Sequence, residues 1–240
     1  MGLTFARVRA MLVEKQKKEK NSMIKNVIFD LDGTLLDTLE DLASSVNYAL
    51  LSQGFPTISL EKVRGFVGNG ARNLMERSCG IKDYPKLDEL FAAFKVHYDE
   101  NCRVKTKPYA GIKELLERLK QDGANIAVLS NKPNAPVQVL IEEYFPGAFV
   151  YVQGEDEANG VFRKPNPSGL LALMKKMQAT KEDTLFVGDS EVDIQTAKNA
   201  GVPCLSVTWG FKDEAFLWEH GATVCVSSAE DAFAYYKQVN

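Results

Sequence analysis

The chain has 240 residues, of which 45% are hydrophobic and 25% charged, the usage of an ordinary globular protein rather than a disordered or fibrous one. Its formal net charge of -3 provides no broad positive field for a phosphate backbone, so nucleic acid is not an expected partner. No apolar run approaches the roughly 20 residues that span a bilayer, and no uninterrupted apolar stretch with a small-residue cleavage site opens the chain. No membrane partner is therefore expected, and the expected location is cytoplasmic.

Residues 1–22 read as a basic N-terminal extension, with Arg7, Arg9, Lys15, Lys17, Lys18 and Lys20 set against Glu14 and Glu19. Met23 would itself make a natural start. From Ile24 onward, short apolar, β-branched runs alternate with helical patterns. Strands are expected at residues 24–29, 125–129, 148–152, 184–187, 203–207 and 223–226. Between them, Ile112, Leu115, Leu116 and Leu119, then Leu170, Leu171, Leu173 and Met174, mark helices that bury one face. This alternation specifies an α/β fold with a doubly wound parallel sheet, whose ligand site lies at the carboxyl ends of the strands. The segment from Leu39 to Thr106 breaks the alternation and reads as helices only, at residues 39–51, 59–67, 71–79 and 87–102. The expected organisation is core at 23–38, an inserted helical cap at 39–108, and core again at 109–240. Hinges are expected near residues 37–39 and 105–111, so that the cap can close over the sheet edge and exclude water. The four cysteines, Cys79, Cys102, Cys204 and Cys225, form no CxxC pair and read as reduced thiols.

Four polar clusters follow predicted strands: Asp30-Leu31-Asp32-Gly33-Thr34, Ser130-Asn131-Lys132, Lys164-Pro165, and Gly188-Asp189-Ser190-Glu191-Val192-Asp193. Singly, each is an ordinary turn or helix cap. Together they would converge on one edge. Asp30, Asp32, Asp189 and Asp193 in one crevice would repel one another unless a cation neutralised them. Oxygen-only ligands without paired His or Cys suit a hard ion, and Mg2+ fits best. Phosphoryl transfer needs a nucleophile, neutralisation of the equatorial oxygens and an acid for the leaving oxygen. Asp30 can attack phosphorus to form an acyl phosphate, and Asp32 can protonate the leaving alkoxide and later activate water. Ser130, Asn131 and backbone N–H groups in the turn at Gly33 can hold phosphate oxygens, while Lys164 supplies a fixed positive charge.

DLDGTL at Asp30 to Leu35, SNKP at Ser130 to Pro133, KPNP at Lys164 to Pro167 and GDSEVD at Gly188 to Asp193 resemble, in order, the four motifs of the haloacid dehalogenase-like superfamily. The resemblance covers essentially everything after residue 23. It implies a Rossmann-like core, a helical cap after the first motif, magnesium, and an aspartyl phosphate on Asp30. Carried over by position, Asp32 also ligates metal through its carbonyl, Asp189 is a direct metal ligand and Asp193 supports it. In the cap, Gly65-Phe66-Val67-Gly68-Asn69-Gly70 with Ala71-Arg72 resembles the cap loop of bacterial phosphoglycolate phosphatases. Glycines this close let backbone approach a small anion, which makes Gly68, Asn69 and Gly70 candidate substrate contacts. Arg72 or Arg77 could reach a second carboxylate.

The expected activity is magnesium-dependent hydrolysis of a small phosphorylated metabolite, 2-phosphoglycolate foremost, by a monomer or homodimer. A haloacid dehalogenase reading is disfavoured because that chemistry needs neither metal nor Asp32. A pyrophosphatase, a sugar-phosphate phosphatase and a sugar-phosphate mutase stay open. A noncatalytic binding protein would be expected to have lost one of Asp30, Asp32, Lys164 or Asp189, and all are present.

Overall fold

The first expected strand forms at Asn26–Phe29 (β1), and all of its residues are buried, as a strand with helices on both faces requires. The structure is a computed structural model that describes residues 23–240; the basic extension at 1–22 lies outside the described residues. β1 pairs in parallel with β4 (Asn125–Pro133) on one side and β6 (Thr184–Gly188) on the other. Beyond them lie β5 (Tyr151–Glu155), β7 (Cys204–Val207) and β8 (Cys225–Val226). The parallel sheet has six strands in the order β5-β4-β1-β6-β7-β8. The chain runs outward from β1 on one side and then returns to the other. That reversal places a topological switch point at the carboxyl end of β1, where open α/β sheets bind ligands.

Alternation along β1 divides the core. Val27 and Phe29 join a large buried cluster that takes in Ile112 and Leu115 of α5 (Ile112–Gln121) and Leu140 of α6 (Asn134–Tyr144). Ile28 faces the other way, with Phe186, Leu170 and Leu173 of α7 (Ser168–Lys176) and Ala197 of α8 (Glu191–Ala200). Two further helices, α9 (Glu214–Glu219) and α10 (Ala229–Val239), complete the C-terminal part. No helix among the described residues is long and apolar enough to cross a membrane.

Between Leu39 and Asn101 the chain forms four helices: α1 (Leu39–Ser52), α2 (Leu60–Phe66), α3 (Ala71–Cys79) and α4 (Leu87–Asn101). Ser59 caps α2 by accepting from Lys62 N at 3.3 Å, and Gly80, with φ of 70°, ends α3. His97 of α4 is structural, stacked on Tyr48 with ring centroids 4.3 Å apart and hydrogen-bonded to Ser45 at 2.9 Å. His220 likewise bonds Phe216 O at 2.8 Å. The apolar side of these helices, including Leu42, Val46, Leu90 and Phe94, is continuous with the large core cluster.

As expected, no strand forms among the described residues between Leu39 and Thr106, but β2 (Leu36–Asp37) and β3 (Lys107–Pro108) pair as a two-stranded antiparallel ribbon just outside it, so the last two residues of the cap expected at 39–108 are strand rather than helix. Strands this short leave no readable period. The strand expected at 148–152 lies at Tyr151–Glu155, because Ala148 N closes a turn onto Phe145 O at 3.1 Å and pairing begins only afterwards. Gly154 in that strand permits a close approach, since a Cβ there would lie 2.5 Å from Asn134 Cα.

At the base of the helices, the buried carboxylate of Asp41 accepts from Lys105 N at 3.0 Å and from both Thr106 N and Thr106 Oγ1 at 2.8 Å. It joins the entering and leaving chains by charge-assisted bonds. Asp41→Asn is expected to lower unfolding free energy by about 1.5–3 kcal/mol, read as a lower urea midpoint at unchanged m-value. An unchanged midpoint would show that this clamp is not stabilising.

Candidate active site

The Asp30 carboxylate stands at the carboxyl end of β1, the innermost point of the switch crevice. Its Oδ1 accepts from Leu31 N at 2.7 Å and lies 2.8 Å from Lys164 Nζ. The same ammonium is 2.6 Å from Asp193 Oδ1 in the first turn of α8. The other Asp193 oxygen accepts from Ser190 Oγ at 2.7 Å and Ser190 N at 3.2 Å. Asp189, at the end of β6, accepts from Phe211 N at 2.7 Å and Thr34 Oγ1 at 3.3 Å. Oxygens of Asp30, Asp189 and Asp193 lie within 4.8 Å of one another, and all three residues are buried.

Gly33 is required here on two counts. Its φ is +84°, and a Cβ would sit 2.3 Å from an Asp189 oxygen. Gly188 is comparably tight, with an added Cβ 2.3 Å from Asp193 Cβ. The clustered glycines and aspartates in these motifs thus follow from crowding several carboxylates into one crevice.

Three buried carboxylates facing one ammonium leave an unbalanced negative charge. Burial pushes the Asp30 carboxyl up from its ordinary 3.8 to about 7; Lys164 opposes the rise and Asp193 adds to it. Asp189 is raised well above the usual carboxylate range, chiefly by burial and then by Asp193 and Asp30. Burial pushes the Lys164 ammonium down, but Asp193 and Asp30 outweigh it and hold its pKa above that of an ordinary lysine. An all-carboxylate donor set of this charge and spacing fits a hard divalent cation such as magnesium.

Asp32 is not a fourth side chain in this cluster. Its Oδ1 accepts from Thr38 Oγ1 at 2.6 Å and lies 3.0 Å from Lys132 Nζ, and its oxygens are not part of the three-carboxylate group. The expectation that all four carboxylates crowd one ion is corrected accordingly.

Ser130, Asn131 and Lys132 occupy the distal part of β4, where its pairing with β5 shifts register between Leu129 and Pro133. Ser130 Oγ accepts from Lys132 N at 3.2 Å, and its hydroxyl hydrogen can turn toward the cavity that Ser130 lines. Asn131 ties three segments together. Its Oδ1 accepts from Lys164 N at 2.6 Å, and its Nδ2 donates to Lys164 O at 3.0 Å and to Gly68 O of the α2–α3 loop at 3.1 Å. Its amide joins the Lys164 loop to the α2–α3 loop as well as bordering the cavity.

A cavity of about 270 Å³ lies between the sheet edge and the helices. Asp30, Asp32, Asp189 and Ser130 line it, as do Gly68, Gly70 and the apolar side chains Val67, Leu74, Phe91 and Phe94. Arg72 is not among the lining residues. It is exposed and ion-paired with Asp88, so the expectation that it reaches the ligand is corrected. Arg77 bonds Phe66 O at 3.3 Å, and Asn69 accepts from Asn73 at 2.8 Å through its carbonyl, away from the lining. Arg163, also outside the lining, packs where a Gly70 Cβ would come within 3.0 Å of it, and pairs with Glu155 at 3.5 Å and Glu157 at 3.4 Å. One buried lysine of the lining was missed. Lys132 is buried, lines the cavity and donates to Tyr98 Oη of α4 at 2.9 Å. Its place in SNKP, beside Ser130, was the available signal.

A family model described as haloacid dehalogenase-like hydrolase matches residues 27–207. Among curated relatives, "Phosphoglycolate phosphatase 1" of Pseudomonas aeruginosa is 36% identical over 212 residues, covering 85% of this chain and 77% of that protein. "Phosphoglycolate phosphatase" of Vibrio parahaemolyticus is 36% identical over 218 residues, covering 86% and 90%. A solved structure from Lactobacillus delbrueckii subsp. bulgaricus, provisionally assigned as a phosphoglycolate phosphatase, superposes with a TM-score of 0.84. It shares 35% identity and covers 89% of this chain and 98% of that one.

The raised Asp30 pKa has a signed consequence for the metal-free protein. Between 3.8 and about 7 the native state holds a proton that the unfolded state has lost, so this group's contribution falls as pH rises through that window. In EDTA, the unfolding free energy of Asp30→Asn relative to wild type is expected to rise by a few kcal/mol between pH 5 and pH 7. A difference independent of pH across urea titrations would refute this assignment.

Proposed function

The chain belongs to the haloacid dehalogenase-like hydrolases and is a phosphoglycolate phosphatase-like phosphoric monoester hydrolase, and from that premise we propose that it hydrolyses 2-phosphoglycolate through a covalent phosphoryl group on Asp30. The observation that carries this reading is Asp30 itself: a carboxylate at the end of the central strand, paired with Lys164 at 2.8 Å and facing a cavity that Asp32 also lines.

In the first step an Asp30 oxygen attacks phosphorus and the bond to the ester oxygen breaks. Asp32, entering this step in its acid form and held by Thr38 at 2.6 Å, delivers its proton to the departing glycolate oxygen. In the second step water attacks phosphorus, Asp32 takes its proton, and inorganic phosphate leaves with Asp30 regenerated. Two displacements at phosphorus replace one difficult hydrolysis. Lys164 balances charge beside Asp30, and the Ser130 hydroxyl and the backbone of the Asp30–Thr34 turn are the donors for the transferring phosphoryl oxygens. Magnesium, when bound, would be held by Asp30 and Asp189, with the Asp32 carbonyl and Asp193 in support, and would neutralise phosphoryl charge.

Residues 39–108 serve as the cap in this reading, hinged where the β2–β3 ribbon joins the two connections to the core. The apolar wall that the helices supply would exclude bulk water, strengthening charge interactions at the phosphoryl group. The molecule acts on a small phosphorylated metabolite, and its reaction calls for no nucleic acid or membrane.

Phosphate release from 2-phosphoglycolate, pyrophosphate, hexose phosphates and nucleotides, with magnesium or EDTA, tests this reading. Magnesium-dependent turnover highest on 2-phosphoglycolate is expected, falling about a thousandfold or more in Asp30→Asn. Comparable turnover of the other esters would discard the substrate; turnover of none would favour a mutase or a noncatalytic protein.

A further inference from the structure

We propose that Lys132 is the specificity-determining residue of this site, its ammonium receiving the carboxylate of a substrate that is the phosphate ester of a small α-hydroxy acid. The inference rests on the reading above, in which Asp32 meets the ester oxygen, and adds the group that recognises the rest of the leaving acid.

In such an ester a single carbon separates the ester oxygen from the carboxyl carbon, so the two functional groups must be met by neighbouring protein groups. Asp32 Oδ1 and Lys132 Nζ are 3.0 Å apart, and both residues line the cavity. An ester oxygen bonded to Asp32 therefore brings the adjacent carboxylate to the Lys132 ammonium. A lysine ammonium has three donors. Asp32 Oδ1 takes one and Tyr98 Oη, at 2.9 Å, takes another, which leaves the third for a ligand oxygen.

The other cations are placed less well. Lys95 also borders the cavity but is exposed, and Lys212 is half-buried with Nζ 3.5 Å from Gly65 O. Arg72, the sequence-level candidate for this role, is exposed and paired with Asp88. Lys132 alone among these is buried, and Tyr98 fixes it both by its hydroxyl and by its ring, whose centroid is 4.6 Å from Nζ. Because Tyr98 belongs to α4 and Asp32 to the turn after β1, the ammonium is held between cap and core. Val67, Leu74, Phe91 and Phe94 supply apolar surroundings in which a carboxylate–ammonium bond is stronger than in water. Substrates with an uncharged group in that place would leave the third donor unmatched.

The test compares kcat and KM for 2-phosphoglycolate and 2-hydroxyethyl phosphate, which carry the phosphoester on the same two-carbon frame and both release an alkoxide that must be protonated. Wild type is expected to prefer 2-phosphoglycolate. In Lys132→Met and Lys132→Gln that preference, as a ratio of kcat/KM values, should collapse by on the order of 30-fold, mainly through KM for 2-phosphoglycolate. Lys132→Arg, which keeps the charge, should retain part of it. If either neutral variant lost activity on both esters by the same factor, Lys132 would only be positioning Asp32 or the cap, and the assignment would be overturned. A wild-type preference that survived Lys132→Gln would overturn the assignment alone. Equal hydrolysis of the two esters by wild type would overturn the substrate reading and the assignment together.

Discussion

A single ammonium, that of Lys164, holds together what would otherwise be a mutually repelling set of buried carboxylates. It stands 2.8 Å from Asp30 and 2.6 Å from Asp193, and Asp189 completes the cluster. Removing one partner from such an arrangement leaves an uncompensated buried charge, which is costly, so each member constrains the others. The parallel sheet delivers them to one place: Asp30 ends β1 and Asp189 follows β6, paired in register with it, while Asp193 begins the helix beyond. Tight glycines at positions 33 and 188 follow from the same crowding. The excess negative charge makes the crevice receptive to a hard cation.

The helices between Leu39 and Asn101 act on this cluster from the other side. They contribute an apolar wall, and two polar side chains of β4 connect that wall to the catalytic edge. Asn131 joins Gly68 of the α2–α3 loop to the backbone of Lys164, and Lys132 joins Tyr98 to Asp32. Both residues lie where β4 shifts its register against β5, and both line the cavity. Residues 131–132 therefore tie the helices to the sheet edge. Recognition of the leaving group and protection from water become properties of one interface between the helices and the sheet.

Much of this arrangement was legible in the residues alone. Central strands such as Asn26–Phe29 and Thr184–Gly188 are short, apolar and buried on both faces, so composition identifies them without ambiguity. Asp30 and Asp189 were expected to meet because each directly follows a buried central strand, and the structure brings them together with Lys164 from the loop after β5. The β2–β3 ribbon was not legible, since two residues per strand carry no period. The onset of β5 was misplaced because apolar character in Ala148 and Phe149 precedes the first pairing, which Val150 N makes to Ile126 O at 2.8 Å. Arg72 was misjudged for a different reason: sequence shows charge but not direction, and Asp88, 16 positions away along the chain, holds its guanidinium outward. Lys132 escaped notice as a site residue because its partners, Asp32 and Tyr98, lie far from it in sequence and on separate elements.

Trapping the phosphorylated carboxylate tests whether Asp30 itself carries the phosphoryl group during turnover. Enzyme mixed with magnesium and excess 2-phosphoglycolate, quenched in acid during turnover and reduced with borohydride, would be digested and sequenced by mass spectrometry. An aspartyl phosphate is reduced to homoserine, whereas a free carboxylate is not. The account predicts homoserine at position 30, dependent on substrate and absent from Asp30→Asn. Turnover with Asp30 unreduced, or reduction at another carboxylate, would contradict it.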